Sequence, residues 1–220
     1  MSFQENLDRV RGRMEAAIAR AHRRPEDVTL IAVTKIFPVE AILEGYTAGL
    51  REFGENYVQE FEGKHPQVAS LEGARFHLIG HLQSNKAAKA AELFHVIQTV
   101  DSAKLARRLD ASGVKLDVMI EVKLSGEDAK HGVVPEGLSE VVDAIAACPN
   151  LQLLGLMTMP PWSEDAELAR PYFVQLRELA VRWKLPRLSM GMSNDLEVAI
   201  EEGATDVRVG TALFGKRKKQ

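Results

Sequence analysis

The chain is poor in the features that mark secreted, membrane and nucleic-acid-binding proteins. It has one cysteine, Cys148 in AACPN, so no internal disulfide can form and a reducing compartment suits it. Cys148 reads as a small buried apolar residue. No apolar run approaches the length needed to cross a bilayer. The N-terminus mixes acidic and basic residues, which is not the pattern of a signal peptide. Charges nearly cancel, at a formal −3, so no basic field draws in nucleic acid or a membrane surface. The one basic run, the terminal GKRKKQ, reads as a solvated tail. Neither a repeat nor a linker divides the sequence. One cytoplasmic domain is the expectation for 220 residues that are 45% hydrophobic and 27% charged.

What is present is alternation. Leu7, Val10, Met14, Ile18 and Ala21 form the apolar stripe of an amphipathic helix over 3–21. Then VTLIAVTK at 28–35 is a near-continuous apolar run, the pattern of a parallel strand covered on both faces, and it ends on Lys35. Further strands are expected near 51–54, at 76–80, 95–100, 115–122 and 151–159, near 187–190 and at 206–209. Helical segments fall between them, at about 39–48, 56–63, 84–93, 102–113, 137–148, 165–183 and 194–202. Eight strands joined by crossovers of this length predict an α/β fold, a closed (β/α)8 TIM barrel with an extra N-terminal helix. An open doubly wound sheet is the alternative.

Lysine at the carboxyl end of a barrel strand sits at the mouth, where loops build sites and partial desolvation favours a neutral, nucleophilic amine. At the far end of the chain, SMGMSNDLEVAIEEGATDVRVGTALFG holds two consecutive turns with helix-start chemistry. Ser193 or Asn194 can cap a helix, with Glu197 completing a capping box, and Gly210-Thr211 open a second turn. Exposed N–H groups at such starts favour a phosphate.

These segments resemble the YggS/PROSC family of pyridoxal phosphate (PLP) homeostasis proteins, whose barrel is like the N-terminal domain of alanine racemase. The resemblance runs through AVTK, FGENYVQE (53–60), FHLIGHLQSNK (76–86), GEDAKHG (126–132), GLMTM (155–159), SMGMSND and VRVGTALFG. It implies a fold-type III site in which Lys35 holds PLP as an internal aldimine. Ser193, Asn194, Gly210 and Thr211 would hold the phosphate, and Arg208 would donate to the pyridine nitrogen. Asn56 and His77 match family positions near the ring, and Met157 with Thr158 would wall the pocket. Arg208 has a plainer alternative in a salt bridge to Asp206 or another nearby carboxylate. Ser84 and Asn85 either cap a helix or touch the ligand. His77 and His81 invite a metal reading, but no third ligand follows at useful spacing, so no metal is expected. Two departures from the family pattern are Lys123, where many relatives have asparagine, and Ile36-Phe37 after the lysine.

The resemblance implies a non-enzymatic PLP carrier that controls free PLP, with PLP-dependent client enzymes as possible partners and a monomer as the expected state. A small amino-acid racemase is the alternative from the enzyme class. It needs a second base facing the substrate α-carbon, and Tyr46, Tyr57 and Tyr172 match no such motif. The sequence stops six residues after Phe214, so the further β-domain of alanine racemase is not expected. A barrel binding another organic phosphate without a Schiff base is a third possibility.

Overall fold

Eight short parallel strands close on themselves. The computed structural model describes residues 2–126 and 131–215. The centre of GEDAKHG and all but the first residue of the basic tail therefore lie outside the described residues. Helix α1 (Phe3–Arg20) precedes β1 (Thr29–Val33), α2 (Val39–Thr47), β2 (Glu52–Glu55), α3 (Val58–Val68), β3 (Arg75–Leu78) and α4 (Ala87–Leu93). There follow β4 (Val96–Val100), α5 (Ala103–Asp110), β5 (Leu116–Glu121), α6 (Leu138–Ala146) and β6 (Leu151–Met157). The last elements are α7 (Arg170–Trp183), β7 (Arg187–Ser189), α8 (Leu196–Glu201), β8 (Asp206–Val209) and the single turn α9 (Thr211–Phe214). Each strand pairs with its sequence neighbours, and β8 returns to β1 with Thr29 opposite Asp206 and Ala32 opposite Val209. The barrel is thus closed, which removes the open-sheet alternative.

Outward-facing strand residues pack under the helices. Phe53 and Phe76 meet Phe61 of α3 and Phe94 after α4, with ring centroids 4.7 to 5.9 Å apart. Phe61 is fully buried, and truncating such a ring to alanine costs about 3–5 kcal/mol.

The interior is polar at its lower end. There the first residues of several strands face one another across the barrel axis. Arg75 donates to Asp117 at 2.6 Å, and Arg187 makes a two-point contact with Asp206. Asp206 is thus taken by Arg187, and Arg208 bonds to Ser189 and Thr158 in place of a carboxylate.

Helix α1 begins with a capping box: Glu5 N–H donates to Ser2 Oγ (3.2 Å) and Ser2 N–H donates to Glu5 Oε2 (2.7 Å). Its buried face is Leu7, Val10, Met14, Ala17 and Ile18, while Ala21 lies past the helix end and is only half-buried. Arg13 and Arg20 pair with Glu197 and Glu201 of α8, and Phe3 stacks on Phe214 at 5.2 Å. This corrects the capping box expected at the start of the 194–202 helix. Glu197 is turned outward to Arg13, and the residue that opens α8 is Asp195, whose side chain accepts the Met192 N–H at 2.6 Å.

Candidate functional site

The carboxyl ends of β1, β7 and β8 frame a cavity of about 320 Å³ at the barrel mouth. Seven of the nine predicted site residues line it: Lys35, Asn56, Ser193, Asn194, Arg208, Gly210 and Thr211. Val33, Phe37, Ile79, Met159 and Trp162 supply apolar wall.

Lys35 is presented by a clamped turn. Two residues of β2 and α3 do the clamping: Glu55 accepts from Thr34 Oγ1 at 2.8 Å, and Glu60 accepts the Ile36 N–H at 2.6 Å. Lys64 joins them, donating to Glu55 (2.9 Å), Glu60 (2.6 Å) and the Thr34 carbonyl (3.0 Å). Burial raises the Glu55 carboxyl, while the Lys64 ammonium pulls against that rise. Between these anchors Ile36 has φ of 68°, a left-handed conformation that a β-branched residue adopts only under constraint. The departure at Ile36 therefore sits in the strained link of the turn, exposed at the rim, and Phe37 lines the cavity while packing on Phe214.

On the opposite side, Ser193 Oγ accepts the Ala212 N–H at 3.2 Å, joining the turn after β7 to the start of α9. Asn194 reaches the other way and donates to the Ser163 carbonyl at 2.9 Å. Arg13 ties this corner to α1 by donating to the Ser193 carbonyl at 3.0 Å. Gly191, with φ of 90°, lets the chain pass; a Cβ there would stand 2.4 Å from that of Ala199.

Arg208 points inward from β8, as strand alternation predicts, and is 3% exposed. Its guanidinium donates to Ser189 Oγ (2.6 Å) and the Thr158 carbonyl (2.9 Å), two neutral oxygens. Burial lowers it to about 10, against the pull of Asp195, Glu121 and Asp206, so it stays charged at neutral pH. From Arg208 a chain of hydrogen bonds runs down the barrel axis. Ser189 donates to Gln98 Oε1 (2.6 Å), Gln98 Nε2 donates to His77 Nδ1 (3.0 Å), and His77 Nε2 meets Glu52 at 2.5 Å. All the donors point toward Glu52, which leaves the ring proton of His77 on Nε2. Burial pushes the Glu52 carboxyl up, but the His77 bond together with the nearby charges of Arg75 and Arg187 outweighs it and holds the carboxyl below its usual range.

Two predicted residues are not where the sequence placed them. His77 is one layer below the cavity and reaches it only through Gln98 and Ser189; two residues on, Ile79 is the β3 side chain that lines it. Met157 is fully buried and off the cavity, whose wall at that point is Met159. Thr158 contributes its carbonyl to Arg208 while its hydroxyl donates to Val122 O at 2.9 Å. Ser84 and Asn85 form a 3-10 turn, line no part of the cavity, and make no side-chain cap.

The cavity also has features that point to an absent polar ligand. Asn56 Oδ1 is buried without a hydrogen-bond partner. The Asn56 backbone is pressed against Gly80, where a Cβ would lie 2.3 Å from the Asn56 carbonyl oxygen, so glycine at 80 is what lets Asn56 approach. A buried cation with neutral partners and a primary amine on one wall fit a compact anionic ligand, and the Asn56 amide oxygen fits a donor on it.

Fold and site together define a barrel of the alanine racemase N-terminal type. Residues 6–218 match the family described as alanine racemase, N-terminal domain. The alanine racemase of Clostridium difficile 630 superposes with a TM-score of 0.75 over 99% of this chain and 57% of its own, at 12% identity, which speaks for the fold alone. Nearer relatives are the pyridoxal phosphate homeostasis proteins of Aquifex aeolicus (44% identical, over 99% of this chain and 100% of that one) and Escherichia coli K12 (44%, over 96% and 95%). PipY of Synechococcus elongatus, solved with PLP bound, is 38% identical with a TM-score of 0.86 over 97% of this chain and 100% of its own. The chain belongs to the pyridoxal phosphate homeostasis protein family.

Proposed function

We propose that the protein binds pyridoxal 5'-phosphate through Lys35 and serves intracellular PLP homeostasis, without efficient catalysis. One observation carries this reading: Lys35, Arg208 and the Ser193–Gly210–Thr211 corner line a single cavity. PLP supplies an aldehyde to which a primary amine adds with loss of water, and Lys35 is the amine on the wall. Ser193 and the backbone at Gly210 and Thr211 hold the phosphate. Arg208 keeps its own proton, so it donates toward the pyridine nitrogen and does not protonate it. Asn56 supports the ring edge.

The racemase alternative asks for a second base across the α-carbon from Lys35. Among the described residues, the cavity wall has neither tyrosine nor histidine, and Tyr46 is committed to the Glu72 carbonyl at 3.0 Å. In the homeostasis reading the chain acts as a cytoplasmic monomer that can pass PLP to client enzymes. No helix among the described residues is long and apolar enough to cross a membrane.

The test is the visible spectrum of wild type and Lys35→Ala after incubation with PLP, before and after borohydride reduction, with mass mapping of the labelled peptide. Wild type is expected to absorb as a bound imine and to carry the reduced label on Lys35. Absence of binding at excess PLP, or label on another lysine, overturns the assignment. Exchange of amino-acid α-protons in deuterated solvent at enzymatic rates would move the function to the racemase class.

A further inference from the structure

The barrel mouth holds a second group of ionisable side chains that PLP binding does not use. His81 follows β3, Asp101 follows β4, and Glu121 ends β5. A parallel bridge between Val122 and Val133 brings His131 to them: Lys123 N–H donates to Val133 O at 2.9 Å and Val133 N–H donates to Glu121 O at 2.8 Å. One ligand atom from each of His81, Asp101 and His131 lies within 4.8 Å of the others. The two imidazoles are stacked, with centroids 3.6 Å apart and planes 10° from parallel, and His81 Nδ1 is 3.5 Å from Asp101 Oδ2. Glu121 lines the same small cavity as both histidines. It is 4% exposed, and its Oε2 is buried with no hydrogen-bond partner.

We propose that His81, Asp101 and His131 bind a divalent transition-metal ion, best matched by Zn²⁺, with the buried Glu121 carboxylate in the same cavity offsetting its charge.

Two imidazole nitrogens and a carboxylate form a donor set for zinc and its neighbours, not for Ca²⁺ or Mg²⁺, which prefer all-oxygen shells. Ligand bonds of about 2.0–2.2 Å set tetrahedral neighbours roughly 3.4 Å apart, so the donor atoms must draw together and the stacked rings splay until their in-plane lone pairs converge on the ion. The neutral imidazole is the ligand form. A buried carboxylate oxygen without a partner is costly, and a cation in front of it removes that cost. Lys123 also lines this cavity and is a like charge that an arriving cation meets. The expectation that no metal site exists rested on the lack of a third ligand close in sequence. The fold supplies that ligand from distant loops. Met159 borders both cavities, so an ion here would brace the rim beside the PLP pocket.

The experiment is calorimetric titration of the tag-free, PLP-free chain with ZnCl₂ at pH 7.5. Wild type is expected to take up one Zn²⁺ per chain. His81→Ala and His131→Ala should each weaken binding more than about 100-fold, beyond the range of about 10–100-fold for a merely supporting residue. Ligation needs deprotonated carboxylates and neutral imidazoles, so affinity should rise from pH 6 to pH 8, and less steeply in Glu121→Gln. Lys35→Ala should bind Zn²⁺ like wild type, which separates this site from the PLP assignment. Circular dichroism of each rim variant checks that the barrel has formed. No saturable uptake by wild type, or uptake unchanged in the His81→Ala/His131→Ala double variant, overturns the proposal.

Discussion

The two ends of the barrel carry similar charges and treat them in opposite ways. At the amino end, Arg75 meets Asp117, Arg187 meets Asp206, and the His77 ring meets Glu52. At the carboxyl end, Arg208 is buried against neutral oxygens, while Glu121 and Asn56 each bury an oxygen with no partner. Ion pairs matched within the fold fill space and satisfy one another. Unmatched polar groups are costly to bury, and they persist where a ligand completes them. The contrast identifies the mouth as the working end, as in barrels of this class generally, and it does so without reference to any relative.

Breaking a matched pair should have the largest effect. Asp206→Asn leaves Arg187 facing a neutral amide and is expected to cost about 3 kcal/mol, the low end for a broken buried pair because Arg187 is partly exposed. Arg208→Met removes an unmatched charge, so urea unfolding should find it within about 1 kcal/mol of wild type or more stable, with PLP binding lost. Equal losses of stability in the two variants would abolish the distinction between the ends.

Next in size is the pH dependence set by Glu121. Burial, with Asp101 nearby, raises its carboxyl from 4.5 to about 7, and Arg208 only partly opposes this. The unfolded chain therefore releases this proton near pH 4.5 and the folded chain only near 7. Between those values the folded state holds more protons, so this contribution is full below pH 4.5, falls as pH rises toward 7, and stays lost above. At about 1.36 kcal/mol per pH unit, discounted for partial hydration, the loss is about 2 kcal/mol. Glu121→Gln should flatten that segment of the stability–pH curve and stabilise the protein at pH 8. A curve of unchanged slope between pH 4.5 and 7 would show that Glu121 is ordinarily solvated.

Much of this was legible in the sequence because it rests on local chemistry. VTLIAVTK has the pattern of a doubly covered strand with its lysine at the carboxyl end, and alternation along DVRV turns Arg208 inward once Val207 and Val209 pack outward under helices. What was not legible depends on partners far along the chain. Asn194 and Glu197 have the spacing of a capping box, yet Glu197 is drawn to Arg13, 184 residues away, and Asp195 takes the cap position. His77 faces inward as expected, but how deep it lies depends on the stagger of neighbouring strands, which single-strand patterns do not encode. Asp101 and His131 gave no signal, since only the closure of β3, β4 and β5 side by side makes them neighbours of His81.

The finest comparison lies along the hydrogen-bond chain that joins the two ends. Gln98→Leu nearly keeps the shape of the side chain but removes the acceptor for Ser189 and the donor to His77. Leaving such buried groups unpaired is expected to cost about 1–3 kcal/mol, at the lower end here because Ser189 and His77 each keep one partner. In wild type, long-range ¹H–¹⁵N spectra should show His77 with its proton on Nε2 and Nδ1 accepting; in Gln98→Leu the Nε2 proton should stay, held by Glu52, while the Nδ1 resonance moves to that of a nitrogen without a donor. Arg208, no longer held through Ser189, should then bind PLP a few-fold more weakly and shift the absorption of the bound cofactor. Finding the proton of wild-type His77 on Nδ1 would mean that the donors do not all point one way. The amino-end carboxylate would then have no part in orienting the guanidinium at the mouth.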